Sequence, residues 1–243
     1  MSSLQGKQVL VVGGSSGIGL GVAQVAMEAG GSVTIASRSK DKLEAAKATL
    51  GGKVTTQVLD ASDDAAVAAF FADGKVWDHV VTSAGQGGRG ALPQIEMAAA
   101  YAAMNAKFWP YYRIARAAKI ARDGTLTFVS GGLGTKPAPA SSLVSAVNGA
   151  VESLGRGLAL DLAPTRVNVI SPGIIVTPLW NQFDAQRRKE LFASAAQRLP
   201  AGRVGQPVDI GHAVLFCMTN PFTTGQIIQV DGGSSIGPSP GGH

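Results

Sequence analysis

Three glycines, Gly13, Gly17 and Gly19, fall in the stretch VVGGSSGIGLGVAQVA, between a β-branched apolar run and an amphipathic one. Glycine at a strand-to-helix turn permits a tight bend and lets phosphates come up against bare backbone. The helix that follows adds unpaired N–H groups and a dipole that favours negative charge. The loop, with Ser15, Ser16 and Ile18 between its glycines, therefore suits a pyrophosphate. An ordinary glycine-rich connection is the plainer alternative, but it has no need to sit directly after a strand and directly open a helix.

A second polar cluster is IASRSKDK, where Ser37, Arg38, Ser39 and Lys40 precede the first acid, Asp41. At this point of a dinucleotide-binding unit an acid holds the ribose hydroxyls of NAD, whereas a 2′-phosphate needs a cation and no acid. Arg38 and Ser39 thus point to NADP(H) rather than NAD. A solvated Arg/Lys pair is the alternative, although cations at a helix start are poorly placed against its dipole unless an anion is near.

Other chemistries find less to work with. His79, His212 and His243 have no ligand spacing, so no metal site is expected. Cys217, in AVLFCM, reads as a buried inert thiol, and a lone cysteine excludes an internal disulfide and suits a reducing compartment. The net charge of +5 comes from 21 bases and 16 acids, and the one dense basic run, Arg187-Arg188-Lys189, reads as a solvated helix face rather than a nucleic-acid site. No apolar run reaches membrane-spanning length and the N-terminus lacks the features of a signal peptide, so a cytoplasmic location is expected.

Positioning these residues falls to short β-branched runs alternating with longer Ala-rich amphipathic ones, the pattern of repeated strand-helix-strand units. Strands are expected at Gln8 to Val12, Ser32 to Ala36, Lys53 to Leu59, Trp77 to Thr82, Thr125 to Ser130, Thr165 to Ile170 and Gln226 to Val230. Helices are expected at Ile18 to Ala29, Lys40 to Leu50, Asp63 to Phe71, Met97 to Ala121, Ser141 to Leu162 and Pro207 to Met218. With 243 residues, 45% of them hydrophobic, the chain suits one α/β domain. The expectation is a single-domain, doubly wound parallel sheet of Rossmann type over residues 1–237, with a substrate loop at 178–206 and a disordered tail at 238–243. In such a sheet ligands bind outside the carboxyl ends of the strands.

Over nearly its whole length the chain resembles the short-chain dehydrogenase/reductase family. VVGGSSGIG is similar to that family's TGxxxGIG, with Val12 in the threonine slot. LDASD matches the place where an aspartate contacts the adenine, which implies Asp60 and Ala61. TSAG stands where the family has NNAG, implying backbone or side-chain contacts from Ser83, Ala84 and Gly85. SPGIIVTPLW matches the segment that holds the nicotinamide carboxamide, implying Pro172, Gly173, Ile175 and Thr177. The family's chemistry rests on Asn, Ser, Tyr and Lys, the last two spaced YxxxK on one helix. Here Asn105 fills the Asn slot, and Ser130 falls at the Ser slot or one residue before it, the other register placing Gly131 there. VSAVNGAVESL aligns without a gap on YSASKAAVESL, which puts Val144 in the tyrosine slot and Asn148 in the lysine slot.

Val144 has no proton to give at any pH, and Asn148 can donate a hydrogen bond to a ribose hydroxyl but carries no charge. Tyr101, Trp109 and Tyr112 share the spacing of one helix face with Asn105, so a tyrosine near the cleft competes with a simple core stripe. Ser145 and Lys107 also lie near the relevant elements. Two functions stay open. One is an NADP(H)-dependent oxidoreductase acting on a carbonyl or alcohol without the Tyr-Lys relay. The other is a non-catalytic NADP(H)-binding sensor or regulatory subunit. The resemblance further implies a homotetramer or homodimer, in which the Ser141–Leu162 helix meets its copy. The loop residues Leu179, Trp180, Phe183, Leu191 and Phe192 fit an apolar or aromatic substrate, or pack the loop itself.

Overall fold

The computed structural model describes residues 3–85 and 88–237. The tail expected to be disordered, 238–243, lies outside them. Among these residues seven strands form one sheet: β1 (Gln8–Val12), β2 (Ser32–Ser37), β3 (Thr55–Val58), β4 (Val76–Thr82), β5 (Lys119–Val129), β6 (Arg166–Pro172) and β7 (Ile227–Val230). Their spatial order is β3-β2-β1-β4-β5-β6-β7 and every pairing is parallel. The order reverses between β1 and β4, which opens a crevice at the carboxyl ends of those strands. The central strands are buried on both faces, which is why VLVV, VV and FV read as unbroken apolar runs.

Among the described residues eight α-helices flank the sheet: α1 (Gly17–Glu28), α2 (Lys40–Thr49), α3 (Asp64–Phe70), α4 (Met97–Ala106), α5 (Phe108–Ala117), α6 (Ser142–Asp161), α7 (Ala185–Arg198) and α8 (Pro207–Thr219). α1 and α8 meet backbone to backbone. A Cβ on Gly21 would come within 2.4 Å of the Pro207 carbonyl carbon, and one on Gly211 within 2.7 Å of the Gly21 oxygen. Cys217, fully buried on α8, has its thiol pushed up to about 12 by that burial. Among the described residues no helix is long and apolar enough to cross a membrane, and no cluster of His, Cys, Asp and Glu could hold a metal.

The sequence pattern predicts one helix from Met97 to Ala121, and here the structure differs. α4 ends at Ala106, Lys107 breaks the helix at φ −131° and ψ −60°, and α5 starts at Phe108. Pro110 gives the reason. It has no N–H to offer the Ala106 carbonyl four residues back, so it is tolerated only in the first turn of a new helix. Gly85, at φ 86°, fixes the break from the other side, because a Cβ there would sit 1.8 Å from the Ala106 oxygen. The helix then stops at Ala117, and Lys119 already pairs with Val76 in the sheet.

Candidate active site

The turn between β1 and α1 is built from backbone. Gly13 has φ 85°, and a Cβ on it would lie 2.9 Å from the Ala84 nitrogen; one on Gly19 would lie 2.1 Å from the Gly13 oxygen. Gly17, at φ 52°, is in contact range of the Thr177 side chain. These approaches leave no room for side chains and bring β1, the strand end after β4 and the segment after β6 together. α1 opens with Ser16 as its cap, yet that hydroxyl makes no capping bond and the first turn holds no acid. The first N–H groups of α1 therefore keep their attraction for an anion.

Next to this turn lies the end of β2. The Ser37 hydroxyl is buried and has no partner among the described residues, while Arg38 is exposed beside it. Ser39 is committed to its own helix, its hydroxyl accepting from the Lys42 N–H at 3.3 Å. Hydrogen bonds from the Ser62 hydroxyl and N–H hold the Asp60 carboxyl below the usual range, with the Arg38 charge adding to them. A glycine cradle, an open helix N-terminus, an unpartnered buried hydroxyl and a nearby guanidinium fit a dinucleotide with a 2′-phosphate. Ala61, Ser83, Pro172, Gly173 and Ile175 lie along the same strand edge. Ile175 contributes backbone, its carbonyl accepting from Trp180 Nε1 at 2.9 Å.

The other side of the cleft is lined by α6. Its buried face carries Val144, Val147, Asn148, Val151, Glu152 and Gly155. Val144 and Asn148 are 8% and 3% exposed, so the two slots that lack ionisable groups face the interior rather than solvent. Ser130 does not aim its hydroxyl at the cleft. It donates to Glu152 Oε1 at 2.9 Å, deeper in the molecule. The cleft position beside Asn148 belongs to Gly131, where a Cβ would come within 2.9 Å of Asn148 Nδ2. Asn105 is exposed on α4 and does not join Ser130 and Asn148.

The break at Lys107 puts Tyr101 on α4 and Trp109 and Tyr112 on α5, and the three are 65%, 42% and 43% exposed, so they form no core stripe. Tyr111 is the buried tyrosine of this segment. It donates to the Val129 carbonyl at 2.8 Å, and burial pushes its phenol far above the ordinary range.

Two ionisable residues sit inside the site instead. Lys107, 7% exposed, donates to the Ser130 carbonyl at 2.6 Å and to Asn148 Oδ1 at 2.8 Å. Burial pushes its ammonium down to about 8, against the opposing pull of Glu152. Glu152 accepts from Ser130 and, at 3.4 Å, from the Ser171 hydroxyl. The sequence offered one signal for Glu152, its spacing of four from Asn148 on an apolar helix face. Lys107 falls near the relevant elements by its sequence position, and the helix break is what turns it into the site.

Outside α6, the segment after β6 forms a short turn at Pro178–Gln182 and then α7. A cavity of about 390 Å³ there is lined by Val176, Thr177, Pro178, Trp180, Asn181, Arg188 and Phe192. Trp180 meets Phe192 edge to face at 5.5 Å, so these rings pack the loop and line the cavity at once.

A family model described as enoyl-(acyl carrier protein) reductase matches residues 12–235. The short-chain dehydrogenase/reductase ATR9 of Stachybotrys chlorohalonatus is 32% identical over 97% of this chain and 100% of its own. The MalC reductase/Diels-Alderase of Malbranchea aurantiaca superposes with a TM-score of 0.87 at 28% identity, covering 94% of this chain and 96% of its own. A short-chain oxidoreductase of Pseudomonas aeruginosa, NADPH-bound and described as containing an atypical catalytic center, gives 0.84 at 28% identity over 96% and 98%. With the Gly13–Gly19 turn, the sheet order and these likenesses in agreement, the chain belongs to the short-chain dehydrogenase/reductase family.

Proposed function

We propose that this protein is an NADP(H)-dependent oxidoreductase acting on a carbonyl or alcohol, with an active site that lacks the family's Tyr-Lys relay. The carrying observation is the backbone cradle at Gly13, Gly17 and Gly19, closed against Ser83–Ala84 and Thr177 and flanked by Arg38. When bound, the nicotinamide supplies hydride exchange at its C4 carbon. The chain's own residues orient it: the α1 N-terminus takes the pyrophosphate, Arg38 the 2′-phosphate, Asn148 Nδ2 a ribose hydroxyl, and the Ile175–Thr177 segment the carboxamide. Val144 gives no proton, so the proton for the substrate oxygen comes from water or another group of the site. Losing a dedicated acid costs about a hundredfold to ten-thousandfold in rate, which confines turnover to reactive carbonyls.

The cavity at Trp180 and Phe192 supports an apolar or aromatic substrate, with Arg188 at its edge. A dimer or tetramer is the proposed assembly. Gly149 and Gly157 on α6 support it, since a Cβ at either meets nothing within 4 Å inside the chain. Their helix cost, about 1 kcal/mol each, has no return in this subunit alone but suits a second helix close by. The cytoplasm is the proposed location. Val144 and Asn148 favour one second reading, a non-catalytic NADP(H) sensor or regulatory subunit.

Calorimetric titration with NADPH and then NADH tests the common core of both readings. Tighter binding of NADPH is expected. Binding of neither removes both readings. Oxidation of NADPH by an activated 1,2-diketone then separates enzyme from sensor.

A further inference from the structure

Lys107 is the only buried lysine or arginine among the described residues, and Glu152 the only buried carboxylate. Both belong to one network, in which Lys107 reaches the Ser130 carbonyl and Asn148 Oδ1 while Ser130 passes a hydrogen bond on to Glu152. Burying a charge is costly unless it is compensated, so a lysine held in this position calls for a reason beyond packing. Its geometry supplies one. An ammonium can only donate, so the Asn148 amide is forced to turn its oxygen toward Lys107. The NH2 group is then left facing the cleft at Gly131, where a Cβ would sit 2.9 Å from Nδ2. A freely flipping amide has become a fixed donor, with a positive charge 2.8 Å behind it.

We infer that Lys107 is a positioning residue for the cofactor: inserted by the α4–α5 break, it holds the Asn148 amide against the nicotinamide ribose and supplies from outside α6 the positive charge that position 148 lacks. The inference rests on the NADP(H)-binding reading above. It also explains the break itself, since Pro110 and Gly85 together turn Lys107 inward at the point where a continuous helix would carry it past the cleft.

A charge acting through Asn148 makes cofactor affinity depend on the protonation of Lys107. Glu152 on α6 is the one charge that reaches it and Tyr111 on α5 the other ionisable neighbour, whose phenol stays protonated throughout. Since Lys107 sits at about 8, NADPH affinity should be full below that pH and fall as pH rises through it. The expected loss is about tenfold between about pH 7 and about pH 9.5, which corresponds to cofactor binding raising the lysine by about one unit.

The test is calorimetric titration of the full chain with NADPH across that range. Lys107→Met should bind about tenfold more weakly at about pH 7 and show no fall above it. Asn148→Ala should lose a similar amount, and Lys107→Met with Asn148→Ala no more than either alone, because the two act as one unit. Lys107→Met with Asn148→Lys, which returns the ammonium to α6, should recover the affinity. A wild-type affinity that is flat with pH overturns the inference, as does a Lys107→Met protein that binds like wild type or additive losses in the double variant. The wild-type pH series decides the matter even if Lys107→Met does not fold. Failure of the wild type to bind NADPH at any pH is a different result, which removes the cofactor reading itself.

Discussion

The β1–α1 side of the cleft and its α6 side occupy the same strand edge but are made of different material. The first is backbone: a Cβ on Gly13 or Gly19 would strike the Ala84 nitrogen or the Gly13 oxygen, and Gly17 holds φ 52° against the Thr177 side chain. The second is side chain: Asn148, Glu152 and an inserted Lys107 share a hydrogen-bond network with Ser130, beside an apolar Val144. A backbone site has almost no alternatives, since only one residue type fits each position. A side-chain site is defined by where atoms end up, so a charge can be delivered from a different element.

The largest expected effect tests the backbone side. Gly19→Ala must push the Gly13 carbonyl aside, and NADPH affinity should fall on the order of a hundredfold by calorimetry, with the circular dichroism spectrum of the fold retained. Binding like wild type would mean that the cradle is not where the pyrophosphate lies.

The next effect probes the side-chain side. Val144→Tyr places a phenol one helical turn before Asn148, and NADPH oxidation by a 1,2-diketone should rise at least about tenfold, part of the roughly hundredfold or more that an acid-base group contributes. Adding Asn148→Lys should reduce that gain, because it sets a second ammonium against Lys107, which already stands 2.8 Å from Asn148 Oδ1. The reverse ranking in steady-state assays would show that Lys107 is not the cation of the site.

Arg38→Ala should weaken NADPH by about tenfold and leave NADH unchanged, the value of one exposed charge-assisted contact. Equal losses for both cofactors would place Arg38 away from the 2′-phosphate. Glu152→Gln is the mildest change. It keeps an acceptor for Ser130 but removes the charge that opposes the burial of Lys107, so the pH at which NADPH affinity falls should move down by roughly half a unit. An upward shift would contradict the network.

The two sides also differ in how much of them could be read from residues alone. The strand-helix alternation and the glycine turn are local patterns, and seven strands in a parallel sheet came through with boundaries off by a residue or two, except at β5, which starts at Lys119 rather than at the expected Thr125. The helix from Met97 to Ala121 did not, because Ala-rich periodicity outweighed the one residue, Pro110, that forbids continuity. Without that break Lys107 falls near the site but is not turned into it. The orientations of Ser130 and Asn105 were not legible: one hydroxyl turns to Glu152, 22 residues on, and one amide stays on the surface.

Ser130 also bears on how such a site can change over generations, because its carbonyl is held by Lys107 and its hydroxyl by Glu152. Losing Lys107 leaves the Ser130 carbonyl and Asn148 Oδ1 buried without their donor, at about 1–3 kcal/mol for each group left unpaired, whereas Gln in place of Glu152 still accepts from Ser130. The carboxylate can therefore change early and cheaply in a lineage, while the lysine stays until its two acceptors have changed with it.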